Sequence, residues 1–149
     1  MQKFFIFALC YVLLPCISKG QLQSAGNDYD VKYYRIHQDI NPDTLYIKGA
    51  VQFQFVNTVT PFNKFTCHLS DALSVDSVLY HGNKVSNNHL NSVVTINLPA
   101  PLQNFLTDSI EIFYSGIPNG TGGFSSFGKS AHSGGNAIYT LSQPYGASD

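Results

Sequence analysis

Tyr46-Ile47-Lys48-Gly49-Ala50-Val51-Gln52-Phe53-Gln54-Phe55-Val56 decides the fold class. Ile47, Gly49, Val51, Phe53 and Phe55 alternate with Lys48, Ala50, Gln52 and Gln54, so the apolar period is two, that of a strand and not of a helix. One face of such a strand is buried and the other wet, as in an antiparallel sheet. Gly49 interrupts the apolar face and predicts either a bulge or a close approach by a neighbouring backbone. Upstream, Asp28 to Ile40 is rich in tyrosine and β-branched residues and predicts a second strand, with Val31, Tyr33 and Arg35 on one face and Lys32, Tyr34 and Ile36 on the other. Asn41-Pro42-Asp43 is a turn signal, so the two strands form a hairpin.

The same texture continues downstream. Lys64 to Leu69 turns its Phe65, Cys67 and Leu69 inward, and Ser70-Asp71-Ala72 ends it. Leu73 to Tyr80 is a strand, His81-Gly82-Asn83-Lys84 a hairpin turn, and Asn87 to Asn91 a polar turn. Val93 to Leu98 alternates again and stops at Pro99-Ala100-Pro101. Ser109 to Tyr114 places Ile110, Ile112 and Tyr114 on one face. No segment carries helical periodicity. Short strands at intervals of about eight to twelve residues predict an all-β protein, an antiparallel β-sandwich or saddle-like double sheet.

Composition narrows the function classes. Only 11% of the 149 residues are charged, and the eight basic ones form no stripe that would neutralise phosphates, so no nucleic-acid partner is expected. Lys3 followed by the apolar run Phe4 to Leu14, then Pro15 and Ser18-Lys19-Gly20, predicts a signal peptide over 1–20 and export to a secreted, periplasmic or cell-surface location. The run is too short for a stable membrane span. Residues 21–27 read as a polar linker and 28–149 as the folded domain. Leu13-Leu14-Pro15-Cys16 is a poor lipoprotein box, because proline precedes the cysteine. With Cys10 and Cys16 in the leader, Cys67 stands alone and reads as a small buried hydrophobe.

Two segments break the pattern. Residues 118–136 hold six glycines and four serines with Phe124 and Phe127; they lack Gly-Lys-Ser/Thr and a following helix, and so predict a long surface insertion or a flexible lid rather than a phosphate cradle. Ala137 to Leu141 is an apolar β-type run that feeds into Ser142-Gln143-Pro144-Tyr145-Gly146. Gln143 stands where regular pairing stops, either as a solvated strand terminus or as a recognition group aimed by the strand.

Catalytic constellations are missing. The five histidines make no His-x-x-x-His pair, and no Gly-x-Ser-x-Gly elbow occurs. The only glutamate is Glu111, so a His-Glu-x-x-His helix with a further glutamate ligand cannot be written from this chain. The residues alone describe a secreted binding or adhesion module, or one domain of something larger.

Several stretches together resemble the N-terminal domain of the aminopeptidase N family of zinc metallopeptidases, especially its secreted bacterial members. They are Tyr29-Asp30-Val31-Lys32-Tyr33-Tyr34-Arg35, Tyr46-Ile47-Lys48-Gly49-Ala50-Val51, the pair of strands from Leu69 to Val78, the Tyr114-Ser115-Gly116 strand end, and Tyr139 to Ala147. The resemblance implies a saddle-shaped β-domain packed on a catalytic domain of the same polypeptide. That catalytic domain binds zinc and removes N-terminal amino acids from peptides by zinc-activated water. It implies that the present chain is a signal peptide and an N-terminal domain, truncated before the catalytic domain and inactive alone, with no catalytic or metal-binding residue of its own. It also implies one substrate-binding residue, Gln143. Related sequences carry Ser-Glu-Pro-Tyr-Gly where this one has Ser142-Gln143-Pro144-Tyr145-Gly146, and the amide keeps a carbonyl acceptor for a substrate ammonium without the charge. The alternatives are a stand-alone secreted β-sandwich that binds carbohydrate or a cell surface through Phe124 and Phe127, and a structural lipoprotein anchored at Cys16.

Overall fold

The computed structural model describes residues 28–118 and 127–140. They form ten strands: β1 (Tyr29–Ile40), β2 (Ile47–Asn57), β3 (Phe62–His68), β4 (Leu73–Tyr80), β5 (Asn83–Lys84), β6 (Asn87–Leu90), β7 (Val93–Leu102), β8 (Thr107–Gly116), β9 (Phe127–His132) and β10 (Gly135–Thr140). Every pairing is antiparallel, and no helix occurs among the described residues. A five-stranded sheet runs β1-β2-β8-β4-β5, a three-stranded sheet β3-β7-β6, and β9 pairs with β10. The predicted leader and linker, residues 1–27, lie outside the described residues.

The core lies between the two larger sheets, and alternation puts it there. Phe53 and Phe55 of β2, Ile110 and Ile112 of β8 and Val78 of β4 share the inner face of the five-stranded sheet. Phe62, Phe65, Cys67, Val94, Ile96 and Leu98 answer from β3 and β7. Phe65 sits at the centre: its ring stacks on Tyr29 at 4.3 Å and meets Phe53 and Phe55 at 5.2 and 5.0 Å. Aromatic pairs of this kind add about 0.5–1.5 kcal/mol each beyond area burial. The Tyr29 hydroxyl donates to the Thr66 carbonyl at 2.6 Å, joining the sheets at the edge of the core. Burial pushes the Cys67 thiol up to about 12, which fits a packed hydrophobe and not a nucleophile.

A smaller cluster of Ile47, Leu73 and Tyr114 continues the core towards the β1–β2 turn. Here Gly49 acts through close approach and not through a bulge. A Cβ at Gly49 would lie 2.8 Å from the His37 carbonyl oxygen and 3.0 Å from the Tyr114 ring. The absent side chain lets Tyr114 lie across β2.

Four sequence expectations change. β1 carries a bulge at Lys32, between the Val31–Phe55 and Tyr33–Gln54 pairs. The extra residue inverts the phase, so Tyr34 and Ile36, not Tyr33 and Arg35, continue the inner face begun by Tyr29 and Val31; Tyr34 packs edge-on to Phe53 at 5.1 Å. Asn87–Leu90 is the edge strand β6, and the turn falls on Asn91 and Ser92, both at positive φ (54° and 60°) as a two-residue hairpin turn requires. Ser92 tolerates that conformation because its N–H donates to Asp71 Oδ1 at 2.7 Å and its hydroxyl accepts from the Asp71 N–H at 3.3 Å. β7 runs through Pro99-Ala100-Pro101 to Leu102, so the prolines end neither the strand nor its pairing with Phe62. Finally, the second half of the predicted insertion is regular structure: Phe127–His132 is β9, paired residue for residue with β10.

Candidate functional site

The β9–β10 hairpin leads to the segment that carries Gln143. Thr140, opposite Phe127, is its last described residue; Gln143 follows three residues later and lies outside the described residues. The structure therefore shows what positions the segment's root.

Sequence-local chemistry builds the seat. Asn41 Oδ1 accepts from the N–H groups of Asp43 and Thr44 at 2.9 and 3.2 Å, and the Asn41 N–H donates to the Tyr46 carbonyl at 2.8 Å. This turn, closed with Leu45 at φ 59°, presents both oxygens of Asp43 that the hairpin needs. Lys129 Nζ donates to the Asp43 carbonyl at 2.6 Å, and Asn136 Nδ2 donates to Asp43 Oδ1 at 2.9 Å. From below, Phe127 packs on the cluster of Ile47, Leu73 and Tyr114. Within the hairpin the Tyr139 ring lies over Gly128, where a Cβ would come within 2.5 Å of it. A polar clamp on one side and an apolar anchor on the other hold the hairpin on the β1–β2 end of the sandwich.

Beside the clamp lies an open groove of about 450 Å3, lined by Asp39, Ile40, Asn41, Pro42, Asp43, Tyr46 and Lys48. A second hollow of about 350 Å3 continues along the outer face past His37, Gln38, Gly49, Ala50 and Phe113. The first groove offers carboxylate and ammonium groups, but Asp43 is already bonded to Asn136, and neither hollow brings a nucleophile to a base.

The most concentrated polar cluster elsewhere is structural. Asp108 accepts from the Tyr80 hydroxyl at 2.7 Å and from the Ser109 N–H at 2.7 Å, and its Oδ1 lies 2.6 Å from His81 Nε2. Desolvation, then the hydrogen bond and charge of Asp108, hold the Tyr80 hydroxyl protonated well above the usual phenol range. The His81 ring stacks on Tyr80 at 4.0 Å, with His81 and Gly82 at positive φ in the β4–β5 turn. Both carboxylate oxygens are engaged, and the group clasps a tight turn to β8. Asp71 and Asp76 are likewise spent on Ser92 and Ser115. Among the described residues no three His, Cys, Asp or Glu side chains come together to hold a metal ion, and no helix is long and apolar enough to cross a membrane.

No family model and no curated protein matches this sequence. Solved structures do. An M1 zinc metallopeptidase mutant from Deinococcus radiodurans, bound to a Tyr-Ser-Ala substrate, superposes with a TM-score of 0.58 at 21% identity over 66% of this chain and 23% of that one. The fold is that of an M1 metallopeptidase N-terminal domain. A two-domain M1 zinc metallopeptidase mutant bound to L-arginine gives 0.58 at 22% identity, over 66% of this chain and 22% of its own. Native yeast LTA4 hydrolase gives 0.54 at 19% identity, over 72% and 18%. The chain thus spans about a quarter or less of the length of the structures it matches.

Of the residues singled out from sequence, Gln143 and Phe124 lie outside the described residues. Phe127 is no free sugar platform, because it packs on the second cluster. Sequence reasoning missed the Asp43–Asn136 and Asp43–Lys129 contacts, whose partners are 93 and 86 residues apart and share no motif. It read the Asn41-Pro42-Asp43 turn correctly but gave it no partner.

Proposed function

We propose that this chain is the non-catalytic N-terminal domain of a secreted zinc aminopeptidase. The observation that carries the reading is the fold likeness to M1 zinc metallopeptidases over two thirds of the chain. In this reading residues 1–20 direct export, and the partner of the domain is a catalytic domain of the same polypeptide. In this reading the metal and the hydrolytic step belong to that other domain, and no group of three possible metal ligands occurs among the described residues. This chain's contribution is positional. The clamp on Asp43 and the Phe127 anchor fix the root of the hairpin. Gln143, a short step beyond it, offers its side-chain carbonyl to the α-ammonium of a peptide substrate.

The test has two arms. The purified chain should show neither aminopeptidase activity nor stoichiometric zinc; finding either overturns the domain assignment. In the enzyme that carries this domain, Gln143→Ala should raise KM for peptides by about tenfold or more, since a hydrogen bond to a charged group contributes about 1.5–3 kcal/mol. An unchanged KM removes the anchoring role and leaves the domain assignment standing.

A further inference from the structure

β1 is an edge strand of twelve residues, paired only with β2 among the described residues. A long edge of unpaired N–H and C=O groups is a template for another strand, and proteins block such edges with lysines and bulges. Here the block covers one half. Lys32 lies in the bulge and pairs with Asp30, whereas from Tyr33 to Ile40 the strand follows β2 without interruption. Over that open half Tyr33, Tyr34, Ile36 and Ile40 are 52%, 50%, 62% and 39% exposed.

We propose that this half-strand is a self-pairing surface, and that its occupant is β1 of a second copy of the chain, added antiparallel with His37 on the twofold axis. The charge pattern selects both occupant and register. Past the bulge, Tyr33, Arg35, His37 and Asp39 share the outer face, opposite Gln54, Gln52, Ala50 and Lys48 of β2. Tyr34, Ile36, Gln38 and Ile40 share the inner face. A twofold axis perpendicular to the sheet pairs residues of one face only. Centred on His37, it sets Arg35 of each copy opposite Asp39 of the other, and Tyr34 opposite Ile40, each twice. Opposite charges and apolar pairs directly across strands stabilise, and like charges there destabilise. Centred on Arg35, the axis would face two guanidinium groups. Centred on Ile36, Arg35 meets His37 and no opposite charge. Centred on Gln38, His37 meets Asp39, but Arg35 meets Asn41 beyond the strand end and only residues 36 to 40 overlap. The His37 register therefore combines the longest overlap with complementary charge, and makes one continuous sheet of the two five-stranded ones. This inference does not depend on the proposed function.

Sedimentation equilibrium of the purified protein from micromolar to millimolar concentration should show a monomer–dimer equilibrium. Arg35→Asp should raise the dimer Kd at least tenfold with the melting curve unchanged at concentrations where the protein is monomeric, and the swap Arg35→Asp with Asp39→Arg should restore it. Directly opposed strand positions lie within disulfide reach. His37→Cys should therefore give a covalent dimer on mild oxidation, mapped by mass spectrometry to residue 37 of both copies, whereas Arg35→Cys should not. A monomer at every concentration, a dimer indifferent to Arg35→Asp, or a swap that fails to restore it overturns the proposal.

Discussion

Gly49→Ala should destabilise the protein although it adds one methyl group to a strand. The new Cβ would lie 2.8 Å from the His37 carbonyl oxygen and 3.0 Å from the Tyr114 ring. The first neighbour is backbone, held in register by the β1–β2 pairing, and the second is a ring only 9% exposed within the Ile47–Leu73–Tyr114 cluster. Neither can give way cheaply. Overpacking of this kind costs about 1–3 kcal/mol. Alanine also restricts the unfolded chain, which offsets about 0.4–1 kcal/mol. The net expectation is a loss of about 1–2 kcal/mol, read as a lower urea midpoint at constant m-value. Because Tyr114 and Phe127 meet at the same cluster, amide exchange in β9 and β10 should quicken beyond the global loss. In a Tyr114→Leu background the cost of Gly49→Ala should shrink, since one of the two collisions is gone. Equal or greater stability in Gly49→Ala would refute the close-approach account of this glycine.

Phe65→Ala removes the ring at the centre of the sandwich and should cost about 3–5 kcal/mol, a large share of a typical domain's 5–15, seen as a collapse of the denaturation midpoint; a loss under about 1 kcal/mol would mean the sheets do not pack through Phe65. Asp43→Ala should leave global stability nearly unchanged, because the bond to Asn136 is exposed, yet accelerate hydrogen exchange in β9 and β10; unaltered exchange would speak against the clamp. Stability should also fall at alkaline pH. Burial raises Cys67 to about 12 in the folded chain against 9.0 for a free thiol, and it raises Tyr29 and Tyr114 as well. The unfolded chain loses these protons first, so the contribution is whole below about pH 9 and declines above it, for Cys67 by up to about 1.4 kcal/mol per pH unit. Melting curves on either side of that pH test this, and Cys67→Ala should remove the earliest part of the fall.

The strands legible in the sequence are those buried on one face only. Ile47 to Phe55, Leu73 to Tyr80 and Ile110 to Tyr114 alternate because solvent and core dictate opposite chemistry to successive residues. The bulge at Lys32 is invisible to that rule, since a single inserted residue leaves composition untouched while inverting the phase. β6 hides because Asn87-Asn88-His89 is polar and its membership comes from the β7 backbone. β9 hides behind glycine and serine, and what holds it, Asp43 and the Ile47–Leu73–Tyr114 cluster, lies far away in sequence. Gln143, outside the described residues, is singled out only by the family resemblance; neither periodicity nor spacing distinguishes it from a solvated strand end.

The place of β2 between β1 and β8 has a consequence for how the chain is made. Its second neighbour, β8, begins at Thr107, fifty residues after β2 ends at Asn57. At translation rates of about 5–20 residues per second, the open backbone edge of β2 waits about three to ten seconds for its partner. The β1–β2, β4–β5 and β6–β7 hairpins close locally in microseconds, but the sandwich cannot. The interval between the first hairpin and the arrival of β8 is therefore the stretch of biosynthesis in which this protein is most exposed to aggregation, and the one where a holding chaperone would matter most.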